Sequence, residues 1–262
     1  MSLLAVEALC KSFGGVNAVQ DLSFEIEQGK IHSIIGPNGA GKTTVFNLLT
    51  GLYKPSTGCV MFDGDEVTGE EPHELARRGM SRTFQNLQIC FNMSALENVM
   101  VGAHLRLDQR LLCCMLRLPA VRRSDANCRD QAAELMRFVG VGKYVLSDAE
   151  GMPYGALKRL EIARALAARP KLLLLDEPAA GLNPTETHEI DELIQKVAAS
   201  GTTVVLVEHD MKLVMGISDH ILVLDYGRKL AEGSAQEVRS NPEVISAYLG
   251  AVSESRGERR KA

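Results

Sequence analysis

Short apolar runs alternate with helix-like segments along the chain. Near the N-terminus, the segments LLAVEAL and LSFEIE read as strands, the second with regular alternation of apolar and polar positions. The run KIHSIIG ends in a glycine and is followed by KTTVFNLLTG, which has helical character, while GCVMFDG is another strand between glycines. This order predicts strands and turns over the first sixty residues, with one helix among them.

The middle of the chain, from about residue 86 to residue 168, has helical periodicity. Ala132, Leu135 and Met136, for example, recur at spacings that place them on one face of a helix. Three continuous apolar runs follow, in KLLLLDEP, TTVVLVEH and HILVLD. Such runs are typical of parallel strands that are covered by helices on both faces. We therefore predict an α/β fold that is interrupted by a mostly helical insert.

Composition narrows the class of protein. The chain has 262 residues, of which 45% are hydrophobic and 24% charged, as in soluble globular proteins. No apolar run reaches the ~18 residues that a membrane span needs, and the N-terminus lacks the features of a signal peptide. A net charge of −4 argues against nucleic acid as a partner. The six cysteines have neither metal-binding nor redox spacing, so we expect reduced thiols in the cytosol.

A glycine-rich motif, GPNGAGKTT, lies between a predicted strand and a predicted helix. It fits the phosphate-binding pattern G-x-x-x-x-G-K-[ST] in the context that this pattern requires. Glycines let the backbone N–H groups point at phosphate oxygens, the Lys42 ammonium reaches the β- and γ-phosphates, and the Thr43 hydroxyl can ligate Mg²⁺. A plain glycine-rich turn is the alternative. The predicted phosphate site comprises Gly36, Pro37, Asn38, Gly39, Ala40, Gly41, Lys42, Thr43 and Thr44.

Two carboxylates, Asp176 and Glu177, end the buried strand of LLLLDEP. Ligands of open α/β sheets bind at the carboxyl ends of the strands. Asp176 would hold Mg²⁺ through water, and Glu177 would polarise the attacking water as general base. The alternative is a turn or helix-cap pair before Pro178. His209 follows the strand of LVEHD, and we expect it to contact the γ-phosphate, although a lone histidine is more often structural.

Together these motifs resemble the ATPase subunit of ABC transporters over nearly the whole chain. The resemblance implies a P-loop NTPase core with a mostly parallel sheet, an antiparallel N-terminal β subdomain and an inserted helical subdomain. It implies that Gln85 in SRTFQN senses Mg²⁺ and nucleotide where the permease docks, and that His209 is the switch histidine. It also implies that Phe13 stacks on adenine, for which a plain core phenylalanine is the alternative.

The segment MPYGA, residues 152–156, lies where the family has its signature LSGGQ. Only Gly155 matches. Pro153 replaces the serine, which removes a hydroxyl donor and an N–H donor, and Ala156 replaces the glutamine. Pro153 also suits the first position of the helix that follows. In the family, the N-terminus of this helix points at ATP held by the other subunit.

We therefore expect Tyr154 and Gly155 to face the nucleotide of a second subunit, with closure weakened about tenfold to a hundredfold by the lost serine contact. Asn183 in AAGLN is a further departure, because the family usually has an aspartate there. A site that binds ATP without hydrolysing it is the rival interpretation. The presence of both Glu177 and His209 argues against it.

Three features resemble the larger of the two ATPases of branched-chain amino acid importers. They are the YG of the altered signature, a long insert at residues 104–128, and the ending EGSAQEVRSNPEVISAYLG. The insert is rich in arginine. It could lie on anionic lipid or touch the permease, or it could simply pack on the surface with its arginines extended into solvent.

The resemblance also implies an organisation and a set of partners. Residues 1–252 form one ATPase domain, with 1–85 and 169–252 as core and β subdomain, 86–168 as helical subdomain and 253–262 as a flexible tail. Expected partners are a second ATPase in head-to-tail arrangement, two membrane-spanning permease subunits and, indirectly, a periplasmic solute-binding protein. The chain would lie peripherally on the cytoplasmic face of the inner membrane. Alternatives are an importer of urea, amides or other amino acids, a lipopolysaccharide exporter, or an ABC ATPase outside transport.

Overall fold

The computed structural model describes residues 2–106 and 119–248 of the chain. Part of the predicted insert, residues 107–118, and the predicted tail, residues 253–262, lie outside the described residues. The chain forms two compact units. Unit 1 comprises Met1–Leu75, Leu174–Glu177 and Ile194–Ala262, and unit 2 comprises Ala76–Leu173 and Pro178–Leu193.

The strands are, in chain order, β1 (Ser2–Phe13), β2 (Val16–Glu27), β3 (Ile31–Ile35), β4 (Thr57–Phe62), β5 (Asp65–Glu66), β6 (Met80–Arg82), β7 (Leu172–Asp176), β8 (Thr203–Val207), β9 (His220–Asp225) and β10 (Arg228–Gly233). The α-helices are α1 (Lys42–Leu49), α2 (Pro72–Arg78), α3 (Ala95–Gly102), α4 (Pro119–Phe138), α5 (Tyr154–Ala167), α6 (Pro184–Ala199), α7 (Met211–Ile217) and α8 (Ala235–Ser240). Residues 242–248 are also helical.

Unit 1 contains an antiparallel sheet in the order β2-β1-β4-β5. Strands β1 and β2 form a hairpin that closes with Phe13 opposite Val16. Along β2, buried and exposed residues alternate from Leu22 to Glu27, as the sequence pattern predicts for a strand with one covered face. This sheet is the N-terminal antiparallel subdomain that the resemblance implies.

The second sheet of unit 1 has the order β10-β9-β3-β8-β7, with the last three residues of β7 in this unit. Strand β3 pairs in parallel with both β8 and β9, while β10 pairs antiparallel with β9. Every residue of β3, β7 and β8 is buried. Burial on both faces explains why these strands are apolar throughout. Their carboxyl ends lead into the phosphate loop, the Asp176–Glu177 pair and the segment that carries His209.

Unit 2 is built mainly from α3, α4 and α5. Helix α3 begins with a capping box, in which Ser94 and Glu97 bond reciprocally to each other's backbone N–H groups. At the end of α3, a Cβ on Gly102 would lie 1.9 Å from the carbonyl oxygen of Arg164, so only glycine allows α3 and α5 to approach this closely. None of the helices in the described part of the chain is long and apolar enough to cross a membrane.

The helical region starts later than the sequence pattern predicts. Residues 86–94 contain no helix. The Asn98 side chain, which is fully buried, accepts a hydrogen bond from the backbone N–H of Cys90 and donates to the Cys90 and Ser94 carbonyl oxygens. These bonds satisfy backbone groups that a helix would otherwise pair. The described cysteines, Cys10, Cys59, Cys90 and Cys128, are free thiols.

Candidate nucleotide-binding site

The phosphate loop connects β3 to α1, and its glycines have backbone conformations that other residues rarely adopt. The φ angles are +154° at Gly36, +80° at Gly39 and +98° at Gly41. A Cβ at Gly36 would lie 2.2 Å from the Leu224 carbonyl oxygen, and one at Gly41 would lie 2.7 Å from the Ala18 carbonyl oxygen. The loop is therefore wrapped tightly around neighbouring backbone, and the N-terminus of α1 is available to an anion.

Lys42 lies inside this loop. Its Nζ atom donates hydrogen bonds to the carbonyl oxygens of Gly36 at 2.7 Å and Pro37 at 2.9 Å. Burial lowers the pKa of the Lys42 ammonium, and the Glu177 carboxylate acts in the opposite direction. Two neutral carbonyl groups are weak partners for a partly buried cation, so a phosphate group would be a stronger one.

A cavity of about 380 Å³ lies beside the loop. It is lined by residues 16–18, Gln20, residues 39–44 and Tyr226. Most of the predicted phosphate loop thus borders the cavity, including the exposed hydroxyl-bearing Thr43. The glycine conformations, the partly buried Lys42 and the size of this cavity fit a nucleotide polyphosphate.

Phe13 is not among the residues that line this cavity. Its ring packs edge-on against Tyr53, with ring centroids 5.2 Å apart, and the Lys11 ammonium lies 5.0 Å from the Phe13 centroid. Because Phe13 is 42% exposed, it is not a core phenylalanine. Its strand partner Val16 borders the cavity instead. An adenine contact for Phe13 stays a prediction.

The Asp176–Glu177 pair and His209 converge at the ends of β7 and β8. Asp176 is buried, and Glu177 has a φ of +47° and donates its backbone N–H to the Val207 carbonyl oxygen at 3.0 Å. The Nδ1 atom of His209 lies 3.9 Å from Oε1 of Glu177 and 3.7 Å from Oε2 of Glu208. The left-handed backbone conformation of Glu177 is a local strain of the kind that is found at functional sites. It lies next to the exposed imidazole of His209.

The oxygen atoms of this region suit Mg²⁺ better than a transition metal. The two predicted ligands in unit 1 are the hydroxyl of Thr43 and the carboxylate of Asp176, both hard donors. Over residues 2–106 and 119–248, no group of three or more histidine, cysteine, aspartate or glutamate side chains could hold a metal ion. Phosphate oxygens and water are the other ligands that Mg²⁺ usually takes in proteins.

Three features of the site were not predicted from the sequence. Tyr226 and Val16 border the cavity, although neither belongs to a known phosphate-binding pattern. Glu208 is 1% exposed beside His209, and its carboxylate accepts the His209 backbone N–H at 3.1 Å. Burial raises the pKa of Tyr248 to about 12, while the backbone of Gly36 acts in the opposite direction. Of these residues, only Glu208 lies in a segment that the sequence analysis had singled out, LVEHD.

In unit 2, the altered signature lies at the start of α5. Pro153 occupies the N-cap position and Tyr154 is the first helical residue, so the prediction of Pro153 as the first helical residue is wrong by one position. The Tyr154 hydroxyl donates to the Ala180 carbonyl oxygen at 3.4 Å, and a Cβ on Gly181 would lie 3.3 Å from the Tyr154 ring. The tyrosine that replaces a family glycine therefore packs on residues 180–181.

Gly155 is in close contact with a carboxylate. A Cβ at Gly155 would lie 2.5 Å from Oε1 of Glu186, in the first turn of α6. The other carboxylate oxygen of Glu186 accepts the Asn183 backbone N–H at 3.2 Å. Asn183 in turn accepts the backbone N–H groups of Thr185 and Glu186, both at 3.0 Å. Asn183 thus caps α6, which gives the unusual residue at this position a local structural role.

Helix α5 also holds the segment around Gln85. Lys158 donates to the Gln85 carbonyl oxygen at 3.2 Å, and the Gln88 backbone N–H donates to Glu161 at 3.4 Å. Arg164 donates to the Gln88 carbonyl oxygen. Burial raises the pKa of the Glu161 carboxyl, since this side chain is almost fully enclosed. The Gln85 side chain itself is exposed.

Comparison with known proteins shows which family has this combination of features. The family model described as ABC transporter matches residues 19–180. The match begins in β2 and includes the phosphate loop, the altered signature and the Asp176–Glu177 pair. The chain belongs to the ABC transporter family. A second model, described as branched-chain amino acid ATP-binding cassette transporter, matches residues 228–253 of this ABC protein.

Similar proteins cover almost the whole chain. The high-affinity branched-chain amino acid transport ATP-binding protein BraF of Pseudomonas aeruginosa is 46% identical over 95% of this chain and 98% of its own length. The corresponding protein LivG of Escherichia coli K12 is 45% identical with the same coverage. A probable LivG of Archaeoglobus fulgidus is 35% identical over 96% of each chain. These relatives confirm the resemblance drawn from the motifs, and family membership implies ATPase activity.

Solved structures of ABC cassettes share the fold. The ADP conformation of an ATP-binding cassette of an ABC transporter has a TM-score of 0.83 and 32% identity, over 95% of this chain and 99% of that one. A dimeric cassette in a post-hydrolysis state, bound to ADP and phosphate, has a TM-score of 0.75 and 25% identity, over 88% and 98%. The predicted α/β P-loop NTPase fold of this ABC protein is thereby confirmed.

Proposed function

We propose that this chain is the ATP-hydrolysing subunit that powers import of branched-chain amino acids by an ABC transporter. The observation that carries the proposal is the identity of 45–47% over 95% of the chain to transport ATP-binding proteins named for these solutes. No residue of an ATP-binding subunit is expected to touch the transported solute. The choice of solute therefore rests on these relatives, and the chemistry rests on the site.

Nucleotide binding uses the phosphate loop. Backbone N–H groups of residues 39–44 and the N-terminus of α1 would surround the β- and γ-phosphates, with the Lys42 ammonium exchanging its carbonyl partners for phosphate oxygens. Thr43 and Asp176 would hold Mg²⁺, with Gln85 as a third predicted ligand. The ion would neutralise phosphate charge and orient the γ-phosphate.

Hydrolysis needs a base and a group that stabilises the phosphoryl oxygens. Glu177 would accept the proton of the attacking water, because it directly follows β7 and its carboxylate acts on the Lys42 ammonium of the phosphate loop. His209, 3.9 Å away from Glu177, would donate to the γ-phosphate and keep the carboxylate oriented. These roles need both side chains at the same edge of the sheet, which is where β7 and β8 end.

A second ATPase subunit would complete the site from across a head-to-tail dimer. Tyr154 and Gly155 at the start of α5 would face the ATP of that subunit, in place of the usual serine and glycines. Two membrane-spanning permease subunits would dock near Gln85 and hold the chain on the cytoplasmic face of the inner membrane. A periplasmic solute-binding protein would deliver leucine, isoleucine or valine to the permease.

Uptake in source cells tests this function. Cells whose only copy carries Glu177→Gln should lose uptake of labelled leucine, while uptake of urea and of a basic amino acid should be unchanged. Cells with Glu25→Gln, an exposed carboxylate of β2, should take up leucine normally. Loss of a control solute instead would reassign the importer. Normal uptake of all three by the Glu177→Gln cells would overturn the importer function and favour lipopolysaccharide export or a role outside transport.

A further inference from the structure

The turn between β9 and β10 is hydrogen-bonded to the phosphate loop. The Gly227 backbone N–H donates to the Ala40 carbonyl oxygen at 3.0 Å, and the Gln20 backbone N–H donates to the Gly227 carbonyl oxygen at 2.8 Å. The Gln20 side-chain amide also donates to the Tyr226 carbonyl oxygen at 3.3 Å. A Cβ at Gly227 would lie 2.6 Å from the Ala18 carbonyl oxygen, so only glycine lets the turn approach β2 this closely. The backbone around Tyr226 is thus hydrogen-bonded to both Ala40 and Gln20.

The backbone of Tyr226 adopts an unfavourable conformation at this position. Its φ angle is +43°, which places a bulky aromatic residue in the left-handed region that glycine and asparagine usually occupy. Strained residues persist where the surrounding structure over-determines them, and they cluster at ligand sites. The bonds from Gln20 and to Ala40 supply that constraint here.

The Tyr226 ring is exposed beside the nucleotide cavity. Tyr226 is 75% exposed and borders the same cavity as Lys42, Thr43 and Val16. Val16 is 69% exposed and also presents an apolar surface to the cavity. The exposed ring of Tyr226, carried by a hydrogen-bonded turn, and the exposed Val16 side chain give this side of the cavity an apolar surface that phosphate groups do not need.

A purine base requires such a wall. The phosphate loop provides charged and polar contacts, whereas the base gains affinity chiefly by stacking on a flat apolar group. The predicted stacking residue, Phe13, packs edge-on against Tyr53 and does not border the cavity. We infer that Tyr226 is a base-contacting residue of the nucleotide site, with its ring packed on the adenine. The inference rests on the proposed nucleotide binding and adds a residue that determines affinity for the base.

Binding of ADP and of inorganic pyrophosphate to the full chain, measured by calorimetry with Mg²⁺, tests the inference. Pyrophosphate has the phosphates of ADP without the base. Tyr226→Ala should weaken ADP binding about tenfold, because a base–aromatic contact is lost, and should leave pyrophosphate binding within about twofold. Tyr226→Phe keeps the ring and should bind ADP like the unmodified chain. The control is Leu146→Ala, which removes a 96% exposed apolar side chain in unit 2 and should change neither affinity.

A second variant separates base contact from structural damage. Tyr226→Gly removes the ring and also relieves the left-handed strain, so the chain should unfold at the same or a higher urea concentration while ADP binding weakens about tenfold. Equal weakening of ADP and pyrophosphate would overturn the inference, because Tyr226 would then support the phosphate loop. Unchanged ADP binding in Tyr226→Ala would overturn it too. If the unmodified chain bound neither probe, the proposed nucleotide binding itself would fail.

Discussion

The Nδ1 atom of His209 lies 3.9 Å from the Oε1 atom of Glu177. These residues are 32 positions apart in the chain and meet because β7 and β8 are neighbours that end at the same edge of the sheet. The backbone bond from Glu177 to the Val207 carbonyl oxygen ties the two strand ends together. Glu177 and His209 therefore lie side by side at this edge of the sheet, and the role of each can be tested by its own substitution.

Glu177→Gln should abolish most ATP turnover while nucleotide binding remains. Glutamine has the shape of glutamate but cannot accept a proton from water, and general-base catalysis contributes about a hundredfold to ten thousandfold. Phosphate release should fall by a factor in that range, and the affinity for ADP should stay within about threefold. Turnover at the normal rate would rule out Glu177 as the base.

His209→Ala should lower ATP turnover with little effect on the free energy of unfolding. The His209 side chain is 64% exposed, so its removal leaves no cavity, and we expect a stability change within about 0.5 kcal/mol. His188→Ala is the matched control, because that histidine is 74% exposed on α6. Phosphate release and urea unfolding should be measured on both variants. Equal activity in the two would contradict a role for His209 at the γ-phosphate.

The contact between Gly155 and Glu186 should appear as a coupling energy. Alanine is intrinsically better than glycine in a helix by about 1 kcal/mol, but a Cβ at Gly155 displaces the Glu186 carboxylate from the Asn183 backbone N–H. Gly155→Ala should therefore be nearly neutral by itself. In a Glu186→Ala background the same change should stabilise the chain by about 1 kcal/mol. Urea unfolding of the four proteins of this cycle gives the coupling, and additive effects would disprove the contact.

Two glycines of the phosphate loop should respond differently to alanine. At Gly36 the new Cβ would lie 2.2 Å from a backbone oxygen of Leu224 that cannot move away, and we expect a loss of about 3 kcal/mol in the free energy of unfolding. At Gly39 nothing lies within 4 Å, and only the φ of +80° is unfavourable, so the cost should be about 1 kcal/mol. Equilibrium unfolding of Gly36→Ala and Gly39→Ala measures both. The reverse order would show that the close approach is absent.

Stability should fall in mild acid because of His32. Burial, and secondarily the charge of His220, lowers the pKa of His32 to about 4, while its Nε2 atom accepts the Glu27 backbone N–H at 3.0 Å. The neutral ring is required in the folded chain, whereas the unfolded chain protonates near pH 6.5. The unfolded state therefore binds more protons between pH 6.5 and 4. The free energy of unfolding should decrease by about 3 kcal/mol as the pH falls through this window.

The variant His32→Gln identifies the source of this pH dependence. It cannot protonate, so its unfolding free energy should vary less between pH 6.5 and 4 than that of the unmodified chain. Exposed His188 provides the control, since His188→Gln should keep the full pH dependence. Glu27, Lys30 and His220 also face His32, and all three are retained in both variants. Identical pH profiles would show that another group is responsible.

Local sequence determined the phosphate loop and the strands around it. Gly36, Gly41 and Lys42 could be assigned because the motif requires a strand before it and a helix after it, and both signals lie within a few residues. The continuous apolar runs of β7 and β8 likewise predicted buried strands whose carboxyl ends carry Asp176, Glu177 and His209. These inferences use short-range periodicity and motif spacing, which the linear chain contains in full.

Only the tertiary structure decided which distant groups meet. Tyr226 reaches the nucleotide cavity because the β9–β10 turn is bonded to Ala40, and no periodicity links those positions. Glu186 approaches Gly155 because α5 and α6 begin next to each other, which the glycine alone could not reveal. Phe13 likewise packs against Tyr53 because these two segments lie close together in the folded chain. Such contacts depend on where backbones converge in space, and spacing along the sequence carries no information about that convergence.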